Sequence, residues 1–81
     1  MSQLSSKEFE DKLCSFVSSL ADVKIQITAD TALFDDGIID SMKILDLIAF
    51  IEIMLDLRIA DDQIVLDNFR SPRIISRTFL R

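Results

Sequence analysis

The residues that could do chemistry are concentrated in one short segment that holds the chain's only glycine and an Asp-Ser pair. Residues 36–42 read DGIIDSM and lead into the longest hydrophobic stretch of the sequence. A serine in the first turn of a helix exposes its hydroxyl at the positive end of the helix dipole, beside backbone N–H groups that lack a partner within the helix. Ser41 is therefore predicted to present an exposed hydroxyl in a place that suits a covalently attached phosphate.

The residue types that are missing limit what Ser41 can do. The chain contains no histidine, which excludes a Ser-His-Asp triad, a Cys-His pair and a histidine-based metal site. Asp35, Asp36 and Asp40 cluster before Ser41, but they lack the spacing of a calcium-binding EF-hand loop, and an exposed helix start offers no cleft for acid–base catalysis. The sequence thus predicts that the protein is not an enzyme and holds no metal, and that another enzyme modifies Ser41.

Composition predicts a single domain over residues 1–81. Of the 81 residues, 49% are hydrophobic, with one glycine and one proline, which is unlike a disordered chain. The net charge is −5 without a basic stripe, so we expect basic protein partners and no nucleic acid. Cys14 is the only cysteine, no secretory signal is recognisable, and Asp46 and Glu52 interrupt the apolar residues 44–55. We expect a cytoplasmic monomer without a membrane-inserted segment.

The first helix is predicted from its capping signal. Ser5 and Glu8 form a Ser-x-x-Glu capping box, so the helix should begin near residue 6. Cys14 is interpreted as a packing residue rather than a reactive thiol, because no basic cluster adjoins it. The predicted core face has helical spacing and comprises Phe9, Leu13, Phe16, Val17 and Leu20.

Residues 21–40 show no sustained hydrophobic period and are predicted to form a long loop. Connections of about 20 residues are uncommon in compact domains and usually have a functional reason, so this loop is expected to position the Asp-Ser turn. Asp30 is a candidate cap for a short turn through Leu33, and Gly37 is expected to adopt a positive φ. The rest of the chain is expected to cover the loop's apolar side chains, Val23, Ile25, Ile27, Leu33 and Phe34.

A second helix is predicted from about Ser41 to Leu57, with two different faces. Its core face comprises Ile44, Leu47, Ile48, Ile51, Met54 and Leu55. The opposite face mixes apolar and acidic groups, and because a purely structural helix would keep that face polar, we interpret it as a recognition surface. Its predicted docking residues are Met42, Leu45, Asp46, Ala49, Glu52 and Ile53. The alternative is a helix that its own domain covers on all sides.

The remaining chain predicts a short helical segment and a final helix. Asp61 and Asp62 suit the start of a segment through Leu66, and Ser71 is a predicted cap with Pro72 in the first helical position. The final helix is predicted over residues 72–80 with Ile74, Ile75, Thr78 and Phe79 facing inward, and with solvated arginines Arg73, Arg77 and Arg81. The predicted fold is all-α: a small right-handed four-helix bundle of three main helices and one short helix, with a long loop between the first two.

The order of these elements and two segments resemble one known family over nearly the whole chain. Residues 33–42, LFDDGIIDSM, and residues 68–71, NFRS, are similar to sequences of the acyl carrier and peptidyl carrier proteins. In that family the serine of Asp-Ser-Leu accepts 4′-phosphopantetheine from coenzyme A, and the thiol of this arm holds an acyl or aminoacyl group as a thioester. The resemblance implies that role for Ser41, with Asp40 as the preceding aspartate.

Departures from the family pattern refine what the resemblance implies. Met42 replaces the usual leucine with similar volume, whereas Lys43 and Ile53 make the acidic face thinner than in fatty-acid carriers. Residues 37–42, GIIDSM, are more similar to freestanding carriers loaded by a dedicated ligase, including D-alanyl and other aminoacyl carriers, than to the carriers within large synthetases. Implied partners are a phosphopantetheinyl transferase, an acyl- or aminoacyl-activating ligase and a downstream acyltransferase or synthase of fatty acid or secondary metabolite biosynthesis. The rival interpretation is a helical interaction module without a prosthetic group.

Overall fold

The computed structural model describes residues 4–22 and 24–80. In this part of the chain the fold is all-helical, as predicted, and has no β-strand. Three α-helices span Ser6–Ala21 (α1), Lys43–Leu55 (α2) and Pro72–Phe79 (α3), and α1 packs against both of the others. The radius of gyration of 11.7 Å equals the value of about 12 Å expected for a folded chain of this length.

The predicted short helix from Asp61 to Leu66 is not a single helix. The structure has two separate 3₁₀ turns, Asp61–Gln63 and Leu66–Phe69. Between them Val65 is extended, with φ −127° and ψ 150°, and β-branched residues such as Ile64 and Val65 favour this conformation over a helix. The count of four helices is therefore not confirmed.

The capping box predicted at the start of α1 is confirmed in both directions. The Ser5 hydroxyl accepts the Glu8 N–H, and the Glu8 carboxylate accepts the Ser5 N–H, each at 3.1 Å. These hydrogen bonds hold the pKa of Glu8 below its usual value. Of the predicted core face, Phe9, Leu13 and Val17 are fully buried, while Phe16 and Leu20 are partly buried against the core.

Helix α2 is shorter than predicted at both ends. It runs from Lys43 to Leu55 and ends where Asp56 adopts the left-handed conformation with φ 52°, a C-terminal role that glycine usually fills. The core face is confirmed: Leu47 and Ile51 are fully buried, and the other four members are partly buried against the core, namely Ile44, Ile48, Met54 and Leu55.

Helix α3 begins and ends close to the predicted residues, but its buried face is different. The Ser71 hydroxyl accepts the Ile74 N–H at 3.2 Å, and Pro72 is the first helical residue. The predicted inward residues Ile75 and Phe79 are buried, whereas Ile74 and Thr78 are only half-buried. Pro72 and Ser76 are buried instead, because positions 72, 75, 76 and 79 share one face of a helix with 3.6 residues per turn.

The long connection before α2 is part of the hydrophobic core. Ile27, Leu33, Ile38 and Ile39 are buried together with residues of all three helices. Phe34 is partly buried, but Ile25 keeps 56% of its surface exposed, so the expectation that it is covered was wrong. Val23 lies outside the described residues. Across the described chain, no helix is long and apolar enough to cross a membrane.

Candidate functional site

The Ser41 segment is anchored by a tight turn built on Leu33. The Leu33 side chain is fully buried, and its carbonyl oxygen accepts the N–H groups of both Ile38 and Ile39 at 2.9 Å. Gly37 completes the turn with φ 72°, which confirms the predicted positive φ. A Cβ at Gly37 would meet no atom within 4 Å, so this position favours glycine for its backbone conformation and not for space.

Asp40 caps the start of α2. Its Oδ1 accepts the N–H groups of Met42 at 3.0 Å and Lys43 at 2.9 Å, and its carbonyl oxygen accepts the N–H of Ile44 at 3.0 Å. This is the geometry of an N-cap residue. Ser41 is therefore the first residue after the cap. The regular α-helix begins two residues later, at Lys43.

Asp40 caps this helix start, and the Ser41 hydroxyl makes no capping hydrogen bond with the described residues. Ser41 is exposed, and within residues 4–22 and 24–80 its hydroxyl takes part in none of the side-chain hydrogen bonds at this helix start. A hydroxyl in this position is accessible to an incoming enzyme and lies next to the positive end of the helix dipole.

The Asp40 carboxylate is a poor base for Ser41. Its two backbone N–H donors, together with Lys43, whose ammonium lies 3.6 Å away, hold the pKa of Asp40 below its usual value. A carboxylate that is stabilised in its charged form accepts a proton less readily.

The outer face of α2 is largely open to solvent. Met42 is 77% exposed, Leu45 68% and Ile53 79%, and Asp46 and Ala49 are also exposed. A group of exposed large apolar side chains on one face of a helix is a candidate contact surface. Five of the six predicted docking residues thus share one accessible surface, which we call the α2 outer face: Met42, Leu45, Asp46, Ala49 and Ile53.

Glu52, the sixth predicted docking residue, differs from the others. It is half-buried, and its carboxylate accepts the Ile59 N–H at 2.8 Å. Ile59 itself is buried. Glu52 therefore fastens the segment after α2 to the helix end, a structural role that the helical period alone did not reveal.

The acidic cluster before Ser41 is divided among different partners. Asp35 lies 3.6 Å from the Arg70 guanidinium, whereas Asp40 caps α2. No group of three or more possible metal ligands occurs among the described residues. Because Asp35 and Asp40 have different partners, the three exposed carboxylates do not act as one unit.

Two contacts in and beside this region were not predicted. Asp30 was a candidate cap, but its carboxylate binds Arg73 through two hydrogen bonds of 2.7 and 3.1 Å. Arg73 keeps 42% of its side-chain surface exposed, but its guanidinium is paired with Asp30, and only a fold can bring together residues separated by 43 positions. Phe16 stacks on Phe50 with ring centroids 4.2 Å apart, although the sequence interpretation left Phe50 on neither face of α2.

Other predicted features lie away from Ser41. Cys14 is half-buried, and burial, followed by the nearby carboxylates of Asp11 and Glu10, raises the pKa of its thiol, which agrees with a packing role. Arg77 is exposed, and Arg81 lies outside the described residues.

Comparison of the chain with protein-family models, with curated proteins and with solved structures found no match in any of the three.

Proposed function

We propose that the protein is a carrier that holds an acyl or aminoacyl group as a thioester on a 4′-phosphopantetheine arm attached to Ser41. The carrier itself performs no catalysis. A phosphopantetheinyl transferase adds the arm, an activating ligase loads it, and a downstream acyltransferase or synthase receives the cargo. In this proposal the two 3₁₀ turns between α2 and α3 replace the short helix of the four-helix carrier bundle.

The observation that supports the proposal most strongly is that Asp40, and not Ser41, caps the start of α2. Because the Asp40 carboxylate accepts the N–H groups of Met42 and Lys43, the serine is not needed as a cap, and its hydroxyl remains exposed. The resemblance of residues 33–42 to carrier proteins supports the same serine. An inert capping serine would instead direct its oxygen to a backbone N–H.

The modification requires a transferase because this chain supplies no base. The Ser41 oxygen attacks the phosphorus that bears the pantetheine group of coenzyme A, so that a phosphodiester bond forms and the pyrophosphate P–O bond breaks. The other phosphate leaves with the nucleotide half of coenzyme A. The hydroxyl proton passes to a base of the transferase, since the chain has no histidine and Asp40 is stabilised as a carboxylate.

Intact mass spectrometry tests the attachment directly. The purified protein is incubated with coenzyme A and a promiscuous phosphopantetheinyl transferase. We expect a gain equal to one phosphopantetheine group in the wild type, located on Ser41 by fragmentation. An unchanged wild-type mass, under conditions that modify a known carrier, would refute the proposal and favour the interaction module without an arm.

The α2 outer face is proposed to dock partner enzymes. Its acidic residue Asp46 would steer the encounter with a basic partner, and the apolar residues Met42, Leu45 and Ile53 would supply contact area. The half-buried Glu52 would contribute negative charge at the rim while its carboxylate holds Ile59. A carrier must leave each enzyme, so we expect weak and short-lived complexes.

Charge-introducing variants test the docking surface. Leu45→Arg and Asp46→Arg should still fold, because both side chains are exposed, yet they should lower kcat/KM for transfer to the downstream enzyme by about tenfold or more. Ile25→Arg is the matched control, since Ile25 is an exposed apolar residue outside α2. Equal rates for all three variants and the wild type would reject this surface.

A further inference from the structure

Two arginines, Arg70 just before α3 and Arg73 in its first turn, each contact the loop that precedes Ser41. The carbonyl oxygen of Arg70 accepts the Leu33 N–H at 2.8 Å. The Arg70 guanidinium lies 3.6 Å from Asp35 and also donates to Asp67 at 2.9 Å. Arg70 therefore contacts the loop through both its backbone and its side chain.

Arg73 repeats this arrangement at a second point of the loop. Its backbone N–H donates to the Ala29 carbonyl at 2.8 Å, and its Nε and Nη2 donate to the two oxygens of Asp30 at 2.7 and 3.1 Å. The first N–H groups of a helix have no partner within the helix, so the loop carbonyl satisfies one of them. The paired hydrogen bonds fix the orientation of the side chains as well as their distance.

The two points of attachment lie on either side of Leu33. The Leu33 carbonyl closes the turn over residues 33–39 that leads into Ser41, which we call the Ser41 turn. Asp30 precedes Leu33 and Asp35 follows it, and Leu33 accepts the N–H groups of Ile38 and Ile39. Asp40 and Ser41 come directly after these residues. A continuous path of hydrogen bonds and backbone therefore connects the start of α3 to the start of α2.

We propose that the arginine clasp, defined as Arg70 with Asp35 and Arg73 with Asp30, positions the Ser41 turn for the transferase. Arg70 and Arg73 are then positioning residues and not catalytic ones. The part of this inference that concerns Ser41 modification rests on the proposed carrier function. The part that concerns the conformation of the turn does not.

The effect of the clasp should be local. Both arginine side chains are 42% exposed, and their loop partners Asp30 and Asp35 are 72% and 66% exposed, so the ion pairs add little to global stability. Segments without regular secondary structure open at much lower cost than a core helix. A transferase that binds only the ordered turn requires a higher concentration of carrier when that turn is less populated, which raises KM and leaves kcat unchanged.

Amide exchange measured by NMR tests the conformational part. In Arg70→Gln/Arg73→Gln, exchange at Ile38 and Ile39 should be about threefold to tenfold faster than in the wild type. Exchange at Leu13 in the core of α1 should change much less. Lys7→Gln/Lys12→Gln is the control, because it also removes two positive charges and one exposed ion pair, that of Lys7 with Asp11. Equal exchange at Ile38 and Ile39 in both variants would overturn the inference.

Transferase kinetics test the functional part. The clasp variant should raise KM for the carrier by the factor by which the ordered fraction of the turn falls, and keep kcat within about twofold of the wild type. Circular dichroism at the assay temperature confirms that the compared proteins are folded. A KM equal to that of the lysine control would overturn the positioning role.

A charge exchange provides the rescue. Asp30→Arg and Arg73→Asp each place two like charges together and should accelerate exchange at Ile38 and Ile39. The double variant restores an opposite pair and should return the exchange rate toward the wild-type value. Failure of the double variant to slow exchange relative to both single variants would contradict a role for the ion pair. If Arg70→Gln/Arg73→Gln does not fold, the three charge-exchange variants still test the Asp30–Arg73 ion pair.

The two proposals fail in different ways. If the wild type is never modified on Ser41, the carrier function is wrong, but the exchange results still decide whether the clasp orders the turn. If the wild type is modified and the clasp variant has an unchanged KM, the carrier function stands and the positioning role of the clasp is wrong, while the exchange results still decide whether the clasp orders the turn.

Discussion

The starts of α2 and α3 each have a serine, but in different positions relative to the cap. At α3 the serine is the cap: Ser71 is 7% exposed, and its hydroxyl accepts the Ile74 N–H at 3.2 Å. At α2 an aspartate is the cap, and the serine one position later is exposed. A shift of one residue relative to the cap thus separates a buried, hydrogen-bonded hydroxyl from an exposed one that makes no capping bond.

The largest expected difference between the two serines is in modification. Ser41→Ala should abolish the gain of a phosphopantetheine group completely, whereas Ser71→Ala should retain it, because the Ser71 hydroxyl is buried and hydrogen-bonded. Intact mass after treatment with coenzyme A and the transferase measures both. A mass gain in Ser41→Ala would show that another residue accepts the arm and that the comparison is mistaken.

Thermal stability should fall more in Ser71→Ala than in Ser41→Ala. Ser71→Ala removes a buried capping hydrogen bond and should cost about 1 kcal/mol, which lowers Tm by roughly 5 °C. Ser41→Ala should change Tm by less than about 2 °C, since an exposed side chain that makes no capping bond contributes little. Loss of a capping serine costs about 1 kcal/mol of folding stability, and in this structure that cost is expected for Ser71→Ala and not for Ser41→Ala. Thermal unfolding followed by circular dichroism measures both, and equal shifts would contradict the assigned caps.

A smaller difference should appear with pH. The folded-state pKa of Asp40 is lowered by its backbone hydrogen bonds, so its stabilisation is complete above the ordinary aspartate pKa of about 3.9 and is lost as pH falls through the lower folded value. The neutral Ser71 cap has no such dependence. In an NMR titration, the amide shifts of Met42 and Lys43 should report a midpoint below about 3.9, and that of Ile74 should report no local titration.

Asp40→Asn separates charge from capping at α2. Asparagine caps helices about as well as aspartate does, so this variant should retain most of the stability at neutral pH and remove the local titration at Met42 and Lys43. Asp40→Ala removes both and should lower Tm by roughly 5 °C. If Asp40→Asn and Asp40→Ala are equally destabilised, the side-chain oxygen is not the cap.

Features that depend on residues three or four positions apart could be predicted from the sequence. The Ser5–Glu8 box and the Ser71–Pro72 start were predicted correctly, and both consist of contacts within one helical turn. The short helix through Leu66 was wrong, because the extended Val65 interrupts it. The positive φ of Gly37 was predictable because few other residues tolerate that conformation.

By itself the sequence determined that no histidine is present, where α1 and α3 begin, and that Ser41 follows an aspartate close to the start of α2. These properties are chemical identities or local hydrogen bonds, which nearby residues specify. Only the tertiary structure decided which loop side chains are buried and that Arg73 binds Asp30 across 43 positions. Such contacts depend on how distant segments are packed together, and no local pattern of spacing records that information.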